Sequence, residues 1–257
     1  MDSKGMPAQR LVEAIFEARW QLPDFGDGSP PKDPLYKLAV GSLFENLKSE
    51  YPFHRQLPAS VLPDEISAYI IQHQFRTADD SWPLVQLGQG ILTVNDTREK
   101  YNWGDFQSRI KSAMKHITCF YEENGQPIVT KLQSLTYVNS VPFDFLSQDG
   151  LRYLEERMGI AVGLDGSLMA SCADKRPSGF DLHFVYQTSS PHSSELRLRF
   201  GTATSADGAR LISWETAVRS EKEGDISGEE QISDWAQEAH KVAKQVYLAL
   251  VSKSTED

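Results

Sequence analysis

The chain has few of the features that identify membrane, secreted or disulfide-rich proteins. No apolar run approaches the roughly 20 residues that a bilayer-spanning helix requires. No apolar core follows the charges of residues 1–10, so we expect no secretory signal and a cytoplasmic location. The two cysteines, Cys119 and Cys172, lie far apart and form neither a disulfide framework nor a metal-ligand pattern. We expect both to be buried thiols.

Sequence patterns for metal binding and covalent catalysis are also missing. The histidines do not fall into HExxH or another ligand spacing, and no CxxC accompanies them, so no metal and no cofactor are predicted. No GxSxG elbow precedes a helix, and neither cysteine has the sequence context of a nucleophile. The six histidines are His54, His73, His116, His183, His192 and His240.

Basic residues are scarce: 26 lysines and arginines stand against 36 acidic residues, for a formal net charge of -10. This charge repels a phosphate backbone and argues against a nucleic-acid partner. The strongest basic candidate is Arg197 with Arg199, on alternate positions of one strand, but Glu195 shares that face and no aromatic residue is interleaved. We interpret this stretch as a solvated strand face.

The first patterned segment, residues 11–20, fits two secondary structures. Alternation places Val12, Ala14, Phe16, Ala18 and Trp20 on one face of a strand, whereas helical spacing groups Leu11, Val12, Ile15, Phe16 and Trp20. Periodicity alone leaves both open. A Pro- and Gly-rich stretch over residues 23–31 ends either element.

Helix signals recur at four places. Asp33-Pro34 reads as an N-cap and first helical residue before Leu35, Leu38, Ala39, Leu43 and Leu47. Asn102 and Asp105 resemble a capping box, followed by apolar residues at helical spacing until Asn124-Gly125. A short helix runs from about Asp149 to Met158 and is closed by Gly159. Ser227 and Glu230 form a second capping box before a helix whose apolar stripe is Ile232, Trp235, Ala239, Val242, Val246 and Ala249.

Strand signals fill the remainder. Residues 69–77 and 84–94 read as a long hairpin joined by the polar turn 78–81, and residues 128–141 form another strand. Alternating apolar residues in 180–186, 196–200 and 212–218 predict an antiparallel meander with a tight turn at Asp207-Gly208. Gly88-Gln89-Gly90 lies inside the strand pattern and lacks a GK[ST] motif, so it indicates a bulge or a close backbone approach rather than a phosphate loop.

These elements predict an α+β fold with curved antiparallel sheets packed against long amphipathic helices. Two halves, residues 1–125 and 126–257, share one plan: strand, helix, antiparallel strands, helix. They are expected to form one continuous globular unit. A duplication is a hypothesis, because no convincing sequence identity relates the halves.

Three charged residues near the N-terminus are the first candidates for chemistry. If residues 11–20 form a strand, Glu13, Glu17 and Arg19 share one face. Two carboxylates beside a guanidinium suit acid/base or anion-handling work, and the same spacing suits a structural ion pair, which we favour. Leu11 and Ile15 on that face predict partial burial, which is costly for Glu13 or Glu17 without an arginine or a hydrogen bond.

Four sets of residues form a pattern that extends along most of the chain. They are Leu11-Val12-Glu13-Ala14-x-Phe16-Glu17-x-Arg19-Trp20, Gln86-x-Gly88-x-Gly90 with Val94-Asn95, Tyr101, Trp103 and Phe106, then Tyr137-Val138-Asn139, and Trp235, His240 and Tyr247 in the last helix. In these segments the chain resembles a sporadically distributed, functionally uncharacterised bacterial family. The resemblance implies a strand over residues 11–20 and implies no established activity. One departure is Thr136, where the family places an arginine before Tyr-x-Asn.

Polar residues in these segments have two interpretations each. Asn95 and Asn139 suit structural roles at turns, where asparagine bonds its own backbone. Together with Arg19 and Gln86 they are also our candidates for ligand binding. His240 suits a packing or capping role where a helix meets the sheet, with catalysis as the alternative.

The leading functional hypothesis is a non-enzymatic binding module that recognises a partner protein or a small ligand. It follows from a well-patterned fold without a coherent catalytic constellation. The patchy distribution of the family suits an accessory or defence-linked role. The alternative is a hydrolase or transferase that uses Glu13, Glu17 and His240 as acid/base groups, which requires the fold to bring them within hydrogen-bond reach. The sequence does not indicate an oligomeric state.

Overall fold

A computed structural model describes residues 11–26, 28, 30–97, 101–163, 176–220 and 228–252. Within these residues, nine strands form one curved antiparallel sheet, and four α-helices pack against it. The strands are β1 (Leu11–Trp20), β2 (Phe53–Gln56), β3 (Ile71–Arg76), β4 (Leu84–Gly88), β5 (Ile91–Thr97), β6 (Thr130–Pro142), β7 (Asp181–Gln187), β8 (Ser194–Thr204) and β9 (Arg210–Ser220). The helices are α1 (Tyr36–Leu47), α2 (Trp103–Glu123), α3 (Gly150–Met158) and α4 (Glu229–Ser252). The predicted α+β class is confirmed.

The strand order is β2-β3-β4-β5-β1-β6-β9-β8-β7, so the N-terminal strand β1 lies in the middle of the sheet. Alternation along β1 is confirmed: Ala14, Phe16, Ala18 and Trp20 are buried, whereas Val12 is 45% exposed. The helical alternative for this segment is wrong. Helical spacing and strand spacing both fit its apolar residues. The strand is formed because a central strand covered by helices on one side needs only one continuous apolar face, which the alternation supplies.

The helices cover a single face of the sheet, which we call the helix face. Phe16 lies opposite Val94 and Leu135, and Leu135 lies opposite Val218. These side chains form one core with apolar residues of α1, α2 and α4. Farther along the same face, Trp214 and Phe200 pack with Leu154 of α3 in a second cluster. None of the four described helices packs on the opposite face, which we call the open face.

The predicted hairpin needs one correction. Its second arm is two strands, β4 and β5, separated by a tight turn at Gln89-Gly90, where Gly90 has a φ of +73°. Apolar residues continue on both sides of this turn, so the strand pattern hid it. The predicted close backbone approach is confirmed at Gly88, because a Cβ added there would lie 2.0 Å from the carbonyl oxygen of Ile70.

Two helices differ in detail from their predictions. α1 begins at Tyr36 rather than Pro34, although the Asp33 carboxylate accepts from the Leu35 backbone N–H as a capping residue would; it also accepts from the Tyr121 hydroxyl. Leu38 is 62% exposed instead of lying in the apolar stripe. In α4 the predicted Ala249 is exposed and Leu250 is buried, while the capping residue Ser227 lies outside the described residues.

The other predicted elements are confirmed. Asp149 caps α3 with its carboxylate, and Gly159 closes that helix in the left-handed conformation at φ +69°. β7, β8 and β9 form the predicted meander, with Gly208 at φ +86° in its tight turn. Among the described residues no helix is long and apolar enough to cross a membrane.

The sheet order is nearly mirrored about the β1–β6 pair. Moving outward from β1 the neighbours are β5, β4 and β3, and moving outward from β6 they are β9, β8 and β7. Each side is the product of one half of the chain in the order strand, helix, strands, helix, with β2 as an additional edge strand on one side. The duplication itself stays a hypothesis.

Replacing the cap of α2 is expected to cost about 1 kcal/mol of stability. The Asn102 side-chain oxygen accepts a hydrogen bond from the Asp105 backbone N–H at 3.3 Å, as the sequence predicts. Asn102→Ala removes this acceptor from an otherwise unpaired N–H group. Urea unfolding measures the loss, and Ser108→Ala at an exposed helix position is the matched control, expected to change stability by less than about 0.5 kcal/mol. Equal unfolding midpoints for Asn102→Ala and the native chain would contradict the assignment.

Candidate functional site

Five of the seven candidate site residues lie on the open face. The side chains of Ala14, Phe16 and Ala18 point to the helices, so those of Glu13 and Glu17 point to the opposite face of the sheet. Register then gives their neighbours on the same face: Thr97 and Val138 beside Glu13, Thr93 and Ser134 beside Glu17. The same pairing places Gln86, Asn95 and Arg19 on the open face, because Gln86 lies opposite Thr93 and Arg19 lies opposite Ile91.

A chain of side-chain hydrogen bonds crosses four strands on this face. The Asn95 Nδ2 group donates to Glu13 Oε1 at 2.8 Å, and Asn95 Oδ1 accepts from Gln86 Nε2 at 3.1 Å and from the Thr93 hydroxyl at 2.7 Å. Gln86 also accepts from Gln74 Nε2 at 2.8 Å. The guanidinium of Arg76 donates to Gln74 at 2.9 and 3.1 Å. We call this set the polar ladder: Arg76, Gln74, Gln86, Thr93, Asn95 and Glu13.

The ladder is partly buried and satisfied. Thr93 and Asn95 are each 4% exposed. A buried polar group without a partner costs about 1–3 kcal/mol, so the mutual hydrogen bonds hold these side chains in one arrangement. Burial raises the pKa of the Glu13 carboxyl, and the hydrogen bond from Asn95 acts in the opposite direction. The ladder is therefore a fixed pattern of donors and acceptors.

The ion pairs expected on this face are present. Arg19 Nε lies 2.8 Å from Glu17 Oε1, with side chains 37% and 24% exposed. Arg197 pairs with Glu195 at 2.8 Å, and Arg199 pairs with Asp181 at 2.9 Å. Such exposed pairs contribute at most about 1 kcal/mol each, so they set the charge pattern more than the stability. The solvated strand face predicted for Arg197 and Arg199 agrees with these exposed pairs.

The open face is nearly neutral, unlike the chain as a whole. Alternation and register place six arginines and five carboxylates of the described strands on it, against a net charge of -10 for the chain. The net charge of the open face is therefore at most +1. These residues are Arg19, Arg55, Arg76, Arg197, Arg199 and Arg219, with Glu13, Glu17, Asp181, Glu195 and Glu215.

His240 and Asn139 lie on the helix face instead. Tyr137 pairs with Ala14, and its hydroxyl lies 2.7 Å from Nδ1 of His240. The imidazole of His240 stacks on Trp103 with ring centroids 4.0 Å apart and an interplanar angle of 3°. Burial, with a smaller contribution from Lys244, lowers the pKa of His240 to about 4. Asn139 lies opposite Trp214 and is 2% exposed.

The structure therefore does not bring His240 to Glu13 and Glu17, because the sheet separates them. His240 packs where the last helix meets the sheet. The turn interpretation of Asn95 is wrong: this residue lies inside β5, and its side chain bonds other side chains because β4 and β1 flank it.

Sequence reasoning missed Gln74, Arg76 and Thr93. Their signal was available, because polar residues alternate at positions 74 and 76, and again at 93 and 95. It was hidden by treating residues 84–94 as one strand. The predicted burial of Cys119 is also incomplete, since this thiol is only partly buried, and Cys172 lies outside the described residues. The described residues include no group of three or more metal-ligating side chains.

No protein-family model, curated protein or solved structure matches the chain. The resemblance to a bacterial family stays a prediction that rests on the quoted segments.

Proposed function

We propose that the protein is a non-enzymatic binding module that recognises a partner protein through its open face. One observation carries the proposal: the helices described above all cover the other face, while the open face carries a continuous polar ladder with satisfied hydrogen bonds. A pattern of donors and acceptors that is already fixed loses little conformational entropy on binding. The partly exposed ladder members Gln74, Gln86 and Glu13 thus suit recognition by hydrogen bonds, with the buried Thr93 and Asn95 holding them in place.

The size of the face supports a protein as the partner. Nine strands spaced at about 4.8 Å span about 40 Å, and strands of about eight residues are about 27 Å long. The product is about 1,100 Å², more than the roughly 800 Å² that each partner contributes to a standard protein–protein interface. A small ligand would occupy only a fraction of this area.

Charge supports a polar protein surface over nucleic acid. Counterion release drives nucleic-acid binding through unpaired basic groups facing phosphates. Here Arg19, Arg197 and Arg199 already have carboxylate partners on the same face. A partner with mixed charges and many hydrogen-bonding groups complements the open face better than a polyanion does.

The hydrolase or transferase alternative loses its motivation. General acid/base catalysis requires groups within hydrogen-bond reach of one substrate. Glu13 and Glu17 face away from the helices, whereas His240 is stacked on Trp103 among them. We therefore propose the binding function alone.

Ser134→Trp is expected to weaken partner binding at least tenfold, which corresponds to about 1.4 kcal/mol. Ser134 lies at the centre of the open face, opposite Glu17 and Arg219, and an indole there would hold a partner away from the ladder. The native chain is purified gently from its own cells, and native mass spectrometry identifies what remains bound. Affinity of that partner is then measured for both chains.

Gln245→Trp places the same side chain on the exposed surface of α4 and is the control. It is expected to bind the partner as the native chain does, with both variants unfolding at the native temperature. Equal partner affinity for Ser134→Trp and Gln245→Trp would contradict the proposal. So would recovery of a small molecule alone, or of the bare 28.9 kDa chain.

A further inference from the structure

A cavity of about 510 Å³ opens on the other side of the sheet, between α1, β2 and β3. Its volume lies within the roughly 300–1,000 Å³ of small-molecule sites. Two amides, two imidazoles and a phenol line it, together with apolar groups such as Val40 and Leu62. The polar lining residues used below are Tyr36, His54, Gln56, Asp64, Gln72 and His73.

Gln72 is the observation that points to a ligand. The residue is 4% exposed, and its backbone carbonyl accepts from the Leu57 N–H at 2.8 Å. Its side-chain amide, in contrast, has no hydrogen bond to any residue within the described ranges. The register of β3 shifts between Ile71 and His73, so Gln72 is the extra residue of a bulge that re-aims its side chain. The amide atoms keep some contact with solvent at the cavity, so a ligand there would replace water as their hydrogen-bond partner.

A histidine pair lies beside this amide. His54 Nε2 and His73 Nδ1 are 2.9 Å apart, and the two rings stack with centroids 5.1 Å apart. One ring therefore donates and the other accepts, which requires at least the accepting ring to be neutral. Burial first, and then the nearby His54, lower the pKa of His73 to about 4, so this neutral state holds at physiological pH. The second nitrogen of each ring is left as one donor and one acceptor.

Charge in the cavity is balanced. Lys37, the one basic residue of the lining apart from the imidazoles, lies 3.3 Å from the Asp64 carboxylate and is 80% exposed. No arginine is among the described lining residues. A phosphate or carboxylate would therefore lack the paired guanidinium donors that such anions prefer. The lining suits a neutral ligand.

We propose that this cavity binds a neutral planar heterocycle with adjacent hydrogen-bond donors and acceptors, the chemical class of the nucleobases and their nucleosides. The amide of Gln72 offers a donor and an acceptor side by side, the arrangement that glutamine uses to bind a base edge at two points. The exposed imidazole of His54 supplies a flat surface for stacking. This site lies on the helix face and does not depend on the partner proposed for the open face.

Titration calorimetry with adenosine, inosine, cytidine and uridine tests the proposal on the full chain. At least one nucleoside is expected to bind with a Kd below about 1 mM, and its 5′-monophosphate at least tenfold more weakly, because burying the phosphate is costly where Lys37 already pairs with Asp64 and no arginine lines the described cavity. Gln72→Met removes the amide at similar volume. It is expected to weaken nucleoside binding at least tenfold without lowering the unfolding temperature, because the side-chain amide has no hydrogen bond to lose within the described residues.

Gln245→Met on the exposed face of α4 is the matched control and should bind as the native chain does. Ser134→Trp should also bind nucleoside normally, which separates this test from that of the open face. The proposal is overturned if no nucleoside binds at 10 mM or if Gln72→Met binds with native affinity. A marked loss of stability in Gln72→Met would equally overturn it, since the amide would then have a structural partner.

Discussion

Gly88→Ala is expected to destabilise the protein by about 3 kcal/mol or more, or to prevent it from folding. A Cβ at this position would lie 2.0 Å from the carbonyl oxygen and 2.7 Å from the carbonyl carbon of Ile70. Both are backbone atoms, so no side-chain rotation relieves the clash. Gly88 is also held between Ile71 and Ile91 by strand pairing on both sides. To accommodate the Cβ, the backbones of β3 and β4 must therefore move apart where their pairing ends.

Urea unfolding followed by circular dichroism measures this loss. Gly41→Ala is the matched control, because a Cβ there meets nothing within 4 Å and the position is exposed inside α1. Alanine in an exposed helix interior is expected to stabilise the chain by about 0.5–1 kcal/mol. The two identical substitutions should thus move stability in opposite directions. A Gly88→Ala protein as stable as the native chain would show that the approach of Ile70 is not tight.

Stability is expected to fall as the pH is lowered from about 6.5 to 4, through the buried His73 and the partly buried His240. His73 and His240 both have a pKa of about 4 in the folded protein, against 6.5 for the ordinary side chain. A lowered folded pKa means that the unfolded chain binds protons first. The contribution to stability is complete above pH 6.5 and is lost as the pH falls towards 4. Each unit of difference corresponds to about 1.4 kcal/mol, so we expect about 2 kcal/mol from His73 and less from the partly exposed His240.

Two carboxyls act in the opposite direction. Burial raises the pKa of Asp33 and of Glu13, so protonating them at low pH favours the folded state. Unfolding free energies at pH 7 and pH 5 for His73→Gln, His240→Gln and the native chain separate these contributions. Each variant is expected to lose less stability on acidification than the native chain. His192→Gln, at an exposed position, should retain the native pH dependence. If His73→Gln loses as much unfolding free energy on acidification as the native chain, the neutral histidine pair does not cause the loss of stability.

Local signals predicted most of the secondary structure. The Asn102 cap, the Gly159 C-terminus and the alternation of β7 to β9 depend on residues close in sequence, and each is confirmed. α1 begins two residues later than predicted. Local sequence also does not show that the Asp33 carboxylate accepts from Tyr121, which is 88 residues away on another helix.

The candidate site was only half predictable for the same reason. Alternation placed Glu13, Glu17 and Arg19 on one face once residues 11–20 were taken as a strand. The strand order was not available, and it is this order that sets Asn95 beside Glu13 at a separation of 82 residues. The turn at Gln89-Gly90 also moved Thr93 and Asn95 into a strand of their own.

The central position of β1 determines when the sheet can form. Phe16 pairs with Val94 on one side and with Leu135 on the other, so its partners follow 78 and 119 residues later in the chain. At roughly 5–20 residues per second, a ribosome needs about 6–24 s after β1 to complete β6. Throughout that interval the apolar stripe of β1 lacks at least one of its two neighbours, and closing such long loops makes sheet formation slow. The nascent strand β1 is therefore a segment that a chaperone would protect.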